Sequence, residues 1–154
     1  MASRDLTNVA KGVAGLAPAV RTASALSAKA DTQGFESLVA RVHVGTFGDT
    51  QSGSVYIEAE VQESNDDSTY TPVADADLLF PKWQGLAARV GTATGTFFQS
   101  KTTGAADAAG LYEVGYRGSM RYVKVNLRLT GTHTNGTPTS VSFSEGHPSF
   151  DPAY

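Results

Sequence analysis

An all-β chain is predicted: an antiparallel β-sandwich, jelly-roll-like, with about eight or nine short strands and an extended N-terminal arm. Three observations predict it. The composition favours pleated surfaces and turns, with 17 Thr, 14 Val, 16 Gly and 14 Ser against a single Ile and only 18% charged residues. Four segments alternate apolar and polar residues with the period of a sheet buried on one face. Turn-forming clusters separate those segments.

The composition changes near Gly34. Residues 1–34 hold nine Ala and no aromatic residue, with four basic side chains against two acidic ones. This segment is read as the arm, with a first strand at 24–30, and residues 35–154 as the sandwich domain. Lys11 and Gly12 interrupt any apolar core of a cleavable signal. Leu6, Val9, Val13 and Leu16 recur at helical spacing, which allows a short helix over 5–14, although Gly12, Gly15 and Pro18 oppose it. A segment so poor in large side chains buries little of its own surface. Contact with a neighbouring chain is therefore expected to order it, the alternative being an edge strand on its own domain.

The alternating segments are Phe35–Gly45, Ser54–Gln62, Arg121–Thr130 and Thr139–Glu145. Shorter strands are expected at Tyr70–Val73, Leu78–Phe80, Thr94–Gln99 and Tyr112–Tyr116. Ser64-Asn-Asp-Asp-Ser68 and Asn135-Gly136 are turn signals. The first two segments read as a hairpin: Val42 opposite Ile57, Val44 opposite Val55 and Ala40 opposite Ala59 inward, with Arg41 opposite Glu58 and His43 opposite Tyr56 outward. Residues 85–110 lack apolar periodicity and read as long loops around a strand at 96–99.

The absence of cysteine excludes disulfide, thiolate, zinc-finger and iron–sulfur chemistry. No apolar run of about 18 residues is present to form a membrane-crossing helix. A net charge of −3 offers no global footprint for nucleic acid. The three histidines, His43, His133 and His147, read as surface or turn residues, and no Gly-x-Ser-x-Gly elbow accompanies them. Glu63, Asn65, Asp66 and Asp67 offer oxygens for Ca²⁺, but the EF-hand pattern is lacking and side chains that bind their own turn explain Asn65-Asp66-Asp67 without a metal, which is the favoured reading. Gly91-Thr-Ala-Thr-Gly95 lacks the helix and lysine of a phosphate cradle. Arg117, Arg121, Lys124 and Arg128 form a local basic cluster, for which pairing with Glu58 and Glu60 is the favoured reading. Trp83 is a candidate platform for a sugar, or a plug in a core or interface. No catalytic residue, cofactor or metal is expected.

Val55-Tyr-Ile-Glu-Ala-Glu-Val-Gln-Glu-Ser-Asn-Asp-Asp-Ser-Thr-Tyr-Thr-Pro-Val73, with Ala74-Asp-Ala-Asp-Leu78 after it, forms one distinctive stretch. Tyr116-Arg-Gly-Ser-Met-Arg-Tyr-Val-Lys-Val-Asn-Leu-Arg-Leu-Thr-Gly-Thr-His-Thr-Asn-Gly136, with the Gly146-His-Pro148 ending, forms a second. Together, over roughly residues 35–150, they resemble the small β-sandwich virion structural proteins of tailed bacteriophages and related prophages. The resemblance implies a non-enzymatic capsid decoration or cement protein on the virion surface, which clamps neighbouring major capsid subunits and associates with itself, as a trimer in some family analogues. No segment matches a capsid-binding motif, so no family site residue carries over. In this reading the arm supplies apolar anchors at Leu6, Val9, Val13, Leu16 and Val20, with Lys11 and Arg21 meeting an acidic shell. Neither a specific nucleic acid nor a membrane is an expected partner. The alternatives are a head–tail or tail structural component and a carbohydrate-binding sandwich.

Overall fold

A computed structural model describes residues 9–81, 93–101 and 109–148. Its strands in chain order are β1 (Ala10–Arg21), β2 (Ala25–Leu26), β3 (Ala30–Asp31), β4 (Phe35–Val44), β5 (Tyr56–Ser64) and β6 (Thr71–Pro72). They continue as β7 (Leu78–Leu79), β8 (Thr96–Gln99), β9 (Gly110–Tyr116), β10 (Tyr122–Thr130) and β11 (Thr137–Pro148). One sheet has the order β1-β11-β4-β9-β7; the other runs β2-β10-β5-β6, with β3 beside β10 and β8 beside β5. All pairings are antiparallel. The long strands pass back and forth between the sheets in the jelly-roll manner.

That topology corrects the expected first hairpin. Among the described residues, the only consecutive strands that pair with each other are β5 and β6. β4 and β5 lie in opposite sheets: Val42 pairs with Val141 and Tyr112, and Ile57 with Leu129. Arg41 accordingly pairs with Glu113, and Glu58 with Arg128. Val42 and Ile57 both point into the core, as expected. Alternation identifies the buried face of a strand, but in a sandwich two inward rows are satisfied equally by pairing side by side or by facing each other.

The connection from β4 to β5 crosses between sheets and is tied to the β10–β11 turn. Asp49 accepts the amides of Asn135 at 3.1 Å and Gly136 at 2.9 Å. Gly136 adopts a positive φ of 69°, and a Cβ there would lie 2.7 Å from the Arg21 carbonyl. Glycine is therefore required at this position on both counts.

The N-terminal segment is also corrected. Residues 10–14 are strand, not helix, and β1 pairs with β11 from Ala10↔Gly146 to Arg21↔Thr137. Residues 10–31 are built into both sheets of the sandwich and do not form a free arm. The strand expected at 24–30 is two short bridges, because the Ser24 and Ser27 hydroxyls accept the β10 amides of Leu129 and Val125, each at 2.9 Å.

The inward rows of both sheets make one core, led by Phe97, Phe98, Phe143, Ile57 and Leu127, with Val13 and Leu16 of β1 packed against it. Truncating Phe143 to Ala should cost about 3–5 kcal/mol. Urea unfolding measures this, and a loss below about 1 kcal/mol would contradict the assigned core.

Candidate interaction surface

The seven residues expected to grip a partner are divided by the pairing of β1 with β11. Antiparallel partners share a face, so Lys11, Val13 and Leu16 lie on the inward side with Glu145, Phe143 and Val141. Val13 and Leu16 pack on the core. Lys11 Nζ reaches Glu145 Oε2 at 2.9 Å and sits 5.2 Å from the centre of the Phe35 ring. Arg21 donates to the Ala17 carbonyl at 2.8 Å. Val9 and Val20, one at each end of β1, remain exposed. Leu6 lies outside the described residues.

Glu145 was not singled out by sequence reasoning. It continues the inward row Val141, Phe143, Glu145 on β11 and is 0% exposed. Its place in that row was the available signal. Lys11 is the cation that neutralises it, and Oε1 has no hydrogen-bond partner among the described residues.

The basic cluster is neutralised within the chain. Arg128 bridges Glu60 at 2.8 Å and Glu58 at 3.3 Å. Arg121 forms a two-pronged pair with Asp31, at 2.9 and 2.8 Å. This pair holds the Asp31 carboxyl below the usual carboxylate range and raises the Arg121 guanidinium. Arg117 Nε donates to the Ala76 carbonyl. Lys124 lies 4.0 Å from both Asp67 and the centre of the Tyr70 ring. Lys29 pairs with Asp67 and covers the Tyr122 ring at 4.5 Å.

The acidic turn is committed to itself. Asp66 accepts the amides of Ser68 and Thr69 and the Ser64 hydroxyl, and these bonds drive its carboxyl far below the ordinary range. Asp67, at a positive φ of 57°, accepts the Tyr70 hydroxyl at 2.5 Å. The other oxygens read as candidate Ca²⁺ ligands accept from elsewhere in the chain: Asn65 Oδ1 from the Arg121 amide at 3.2 Å and Glu63 Oε2 from the Tyr116 hydroxyl at 2.6 Å.

His43 is exposed on the outward side of β4. His133 is buried, with Nε2 bonded to the Thr130 carbonyl at 3.0 Å. The fold brings His147 Nδ1 within 2.9 Å of the Ser37 hydroxyl, a contact that the sequence separation conceals. Among the described residues, no carboxylate is bonded to the His147 ring; the contact anchors a positive-φ bend of 52° at the end of β11. Trp83 lies outside the described residues.

The outward sides of the two sheets differ in chemistry. The β5–β10 face carries the charged, mutually paired side chains above. On the first sheet, the register places Ser140, Ser142 and Ser144 of β11 beside His43, Arg41 and Val39 of β4, and those beside Leu111, Glu113 and Gly115 of β9. The Arg41 guanidinium and the Glu113 carboxylate on this face pair with each other, and the His43 ring is exposed two residues along β4.

No family model matches the chain, and no curated protein matches it. Among solved structures, the SPBc2 prophage-derived protein YomS is similar with a TM-score of 0.50 and 12% identity, over 88% of this chain and 91% of that one. The receptor-binding domain of the spike protein P1 from bacteriophage PM2 aligns with a TM-score of 0.38 and 13% identity, over 96% and 98% of the two chains. The infectious bursal disease virus Gt strain structure aligns with a TM-score of 0.31 and 15% identity, over 90% of this chain and 42% of that one. The last two scores are too low to bear on fold or function. The first is a likeness of fold: the chain shares a β-sandwich architecture with the prophage-derived protein.

Two outcomes follow from these contacts. Lys11→Met strands a buried carboxylate and should destabilise the fold by about 1–3 kcal/mol in urea unfolding, with Glu145→Gln added to it restoring much of the loss; equal losses in the single and double variants would refute the pairing. Asp31, Asp49, Asp66 and Asp67 all titrate lower folded than unfolded. Their contribution is complete above the unfolded value and drains away as pH falls through the folded ones. The urea midpoint should therefore hold from about pH 7 to 5 and drop below about pH 4, less steeply for Asp66→Asn.

Proposed function

We propose that this chain is a non-enzymatic structural protein of a bacteriophage virion, and specifically a capsid decoration protein that clamps neighbouring major capsid subunits on the outer shell. The observation that carries this reading is the disposition of its polar groups. In a jelly roll of this size, the strongly charged clusters are consumed in ion pairs and turns within the chain, while exposed apolar side chains stand at both ends of the first strand. The sequence resemblance to small virion sandwiches and the fold likeness to a prophage-derived protein support the same assignment.

A clip of this kind works by repetition. Burying roughly 800 Å² against each shell subunit gives one modest specific contact, and an icosahedral head repeats it at every junction. Val13 and Leu16 are engaged in the core and Lys11 and Arg21 within the chain, so the shell contact is assigned to Leu6 and Val9.

The test is cosedimentation of the full chain with expanded heads assembled without it. Removing residues 2–20 would take β1 from the sheet, so the informative variant removes residues 2–8 and carries Val9→Asp, leaving β1 whole. The expected result is saturable binding by the wild type and a loss of at least about tenfold in affinity for the variant, with unchanged urea unfolding. Failure of the wild-type chain to cosediment overturns the assignment.

A further inference from the structure

We propose that the outward face of the β1-β11-β4-β9-β7 sheet seats a second copy of this chain, packed sheet to sheet about a two-fold axis. Of the five large hydrophobic side chains exposed among the described residues, three project from this face: Val20 at 62%, Leu79 at 49% and Leu111 at 38%. Their register fixes the direction. Val20 lies opposite Pro138, Leu111 opposite His43 and Leu79 opposite Gly115, all on the outward rows. They sit on both edge strands, β1 and β7, and on β9, with the serine row of β11 and Val39, Arg41 and His43 of β4 between them.

A second copy suits this face for reasons of charge and size. The chain carries a net charge of −3, so two copies repel unless they meet where neither is charged. At pH 7 this face is formally neutral: Arg41 and Glu113 pair with each other, and His43 on the same row counts as neutral. A two-fold axis passing beside this pair would set the arginine of each copy over the glutamate of the other, a self-complementary arrangement. The five strands run to 12, 12, 10, 7 and 2 residues; at about 3.4 Å per residue and about 4.8 Å between strands they cover roughly 700 Å², within the range one partner contributes to a specific dimer. The opposite sheet offers no such surface: Arg128 lies over the buried carboxylates of Glu58 and Glu60, and Lys124 stands beside Asp67. Face-to-face stacking about 10 Å apart is the ordinary packing of two sheets.

The experiment is sedimentation equilibrium on the full chain up to about 100 µM, with circular dichroism as a check on folding. The wild type should sediment at twice the chain mass. Leu111→Arg and Leu79→Arg should each weaken the dimer by at least about tenfold. Leu26→Arg, at an exposed leucine on the other sheet, should leave it intact. Arg41→Glu should dissociate it, and adding Glu113→Arg should restore it. If an arginine variant fails to fold, Leu111→Ser takes its place. A wild type that stays monomeric or forms a trimer overturns the proposal, as does a dimer that survives both arginine variants on this face or is broken by Leu26→Arg. A monomer whose Leu111→Arg variant loses head binding gives the face to the shell instead and also overturns it. The proposal stands apart from the decoration assignment, since it is read on the isolated chain.

Discussion

The sandwich depends on the pairing of β1 with β11. β11 carries Val141, Phe143 and Glu145 on its inward row, and without β1 that row would have a neighbour on one side only. Val13 and Leu16 cover the apolar members and Lys11 neutralises the acidic one. A buried carboxylate is tolerable only when paired. The N-terminal strand therefore supplies both the closing surface and the counter-charge, and its small residues suit the work. Gly15 approaches the Val141 side chain so closely that a Cβ there would lie 2.8 Å from it.

This explains what was and was not legible in the sequence. Period-2 alternation located β4, β5, β10 and β11 because each has one wholly buried row. It also marked Val42 and Ile57 as core, but it could not distribute their strands between sheets, and so the expected hairpin was wrong. The segment around β1 was misread because Ala and Gly carry almost no periodic signal, and its two inward apolar residues, Val13 and Leu16, are three apart across a bulge. A bulge shifts a strand's phase by one, which turns a strand pattern into helical spacing. The Ser37–His147 and Lys11–Glu145 contacts join residues more than a hundred positions apart, and nothing local announces them.

The polar groups were read better than the pairing. Side chains that can satisfy the backbone nearby usually do so, which is why the Asp66 turn follows from local chemistry, whereas the Arg128–Glu58–Glu60 bridge follows from opposite charges on alternating outward positions of two strands. These groups spend their hydrogen-bonding capacity within the chain. What remains for a partner is mainly apolar surface and shape.

The free side of β1 is itself a potential contact, since an edge strand presents unpaired amides and carbonyls to any other strand. Three features blunt it. The register shifts between Ala14 and Leu16 and again between Leu16 and Ala19, Pro18 has no amide to donate, and the Gly15 carbonyl is already taken by the Ala28 amide at 2.9 Å. A strand from another molecule cannot run along β1 without breaking that last bond. The molecule thus discourages association through its edge while leaving the broad side of the same sheet with its Arg41–Glu113 charges paired and apolar in places. Contacts made there, by packing of side chains rather than by extension of the sheet, can close after one partner instead of propagating.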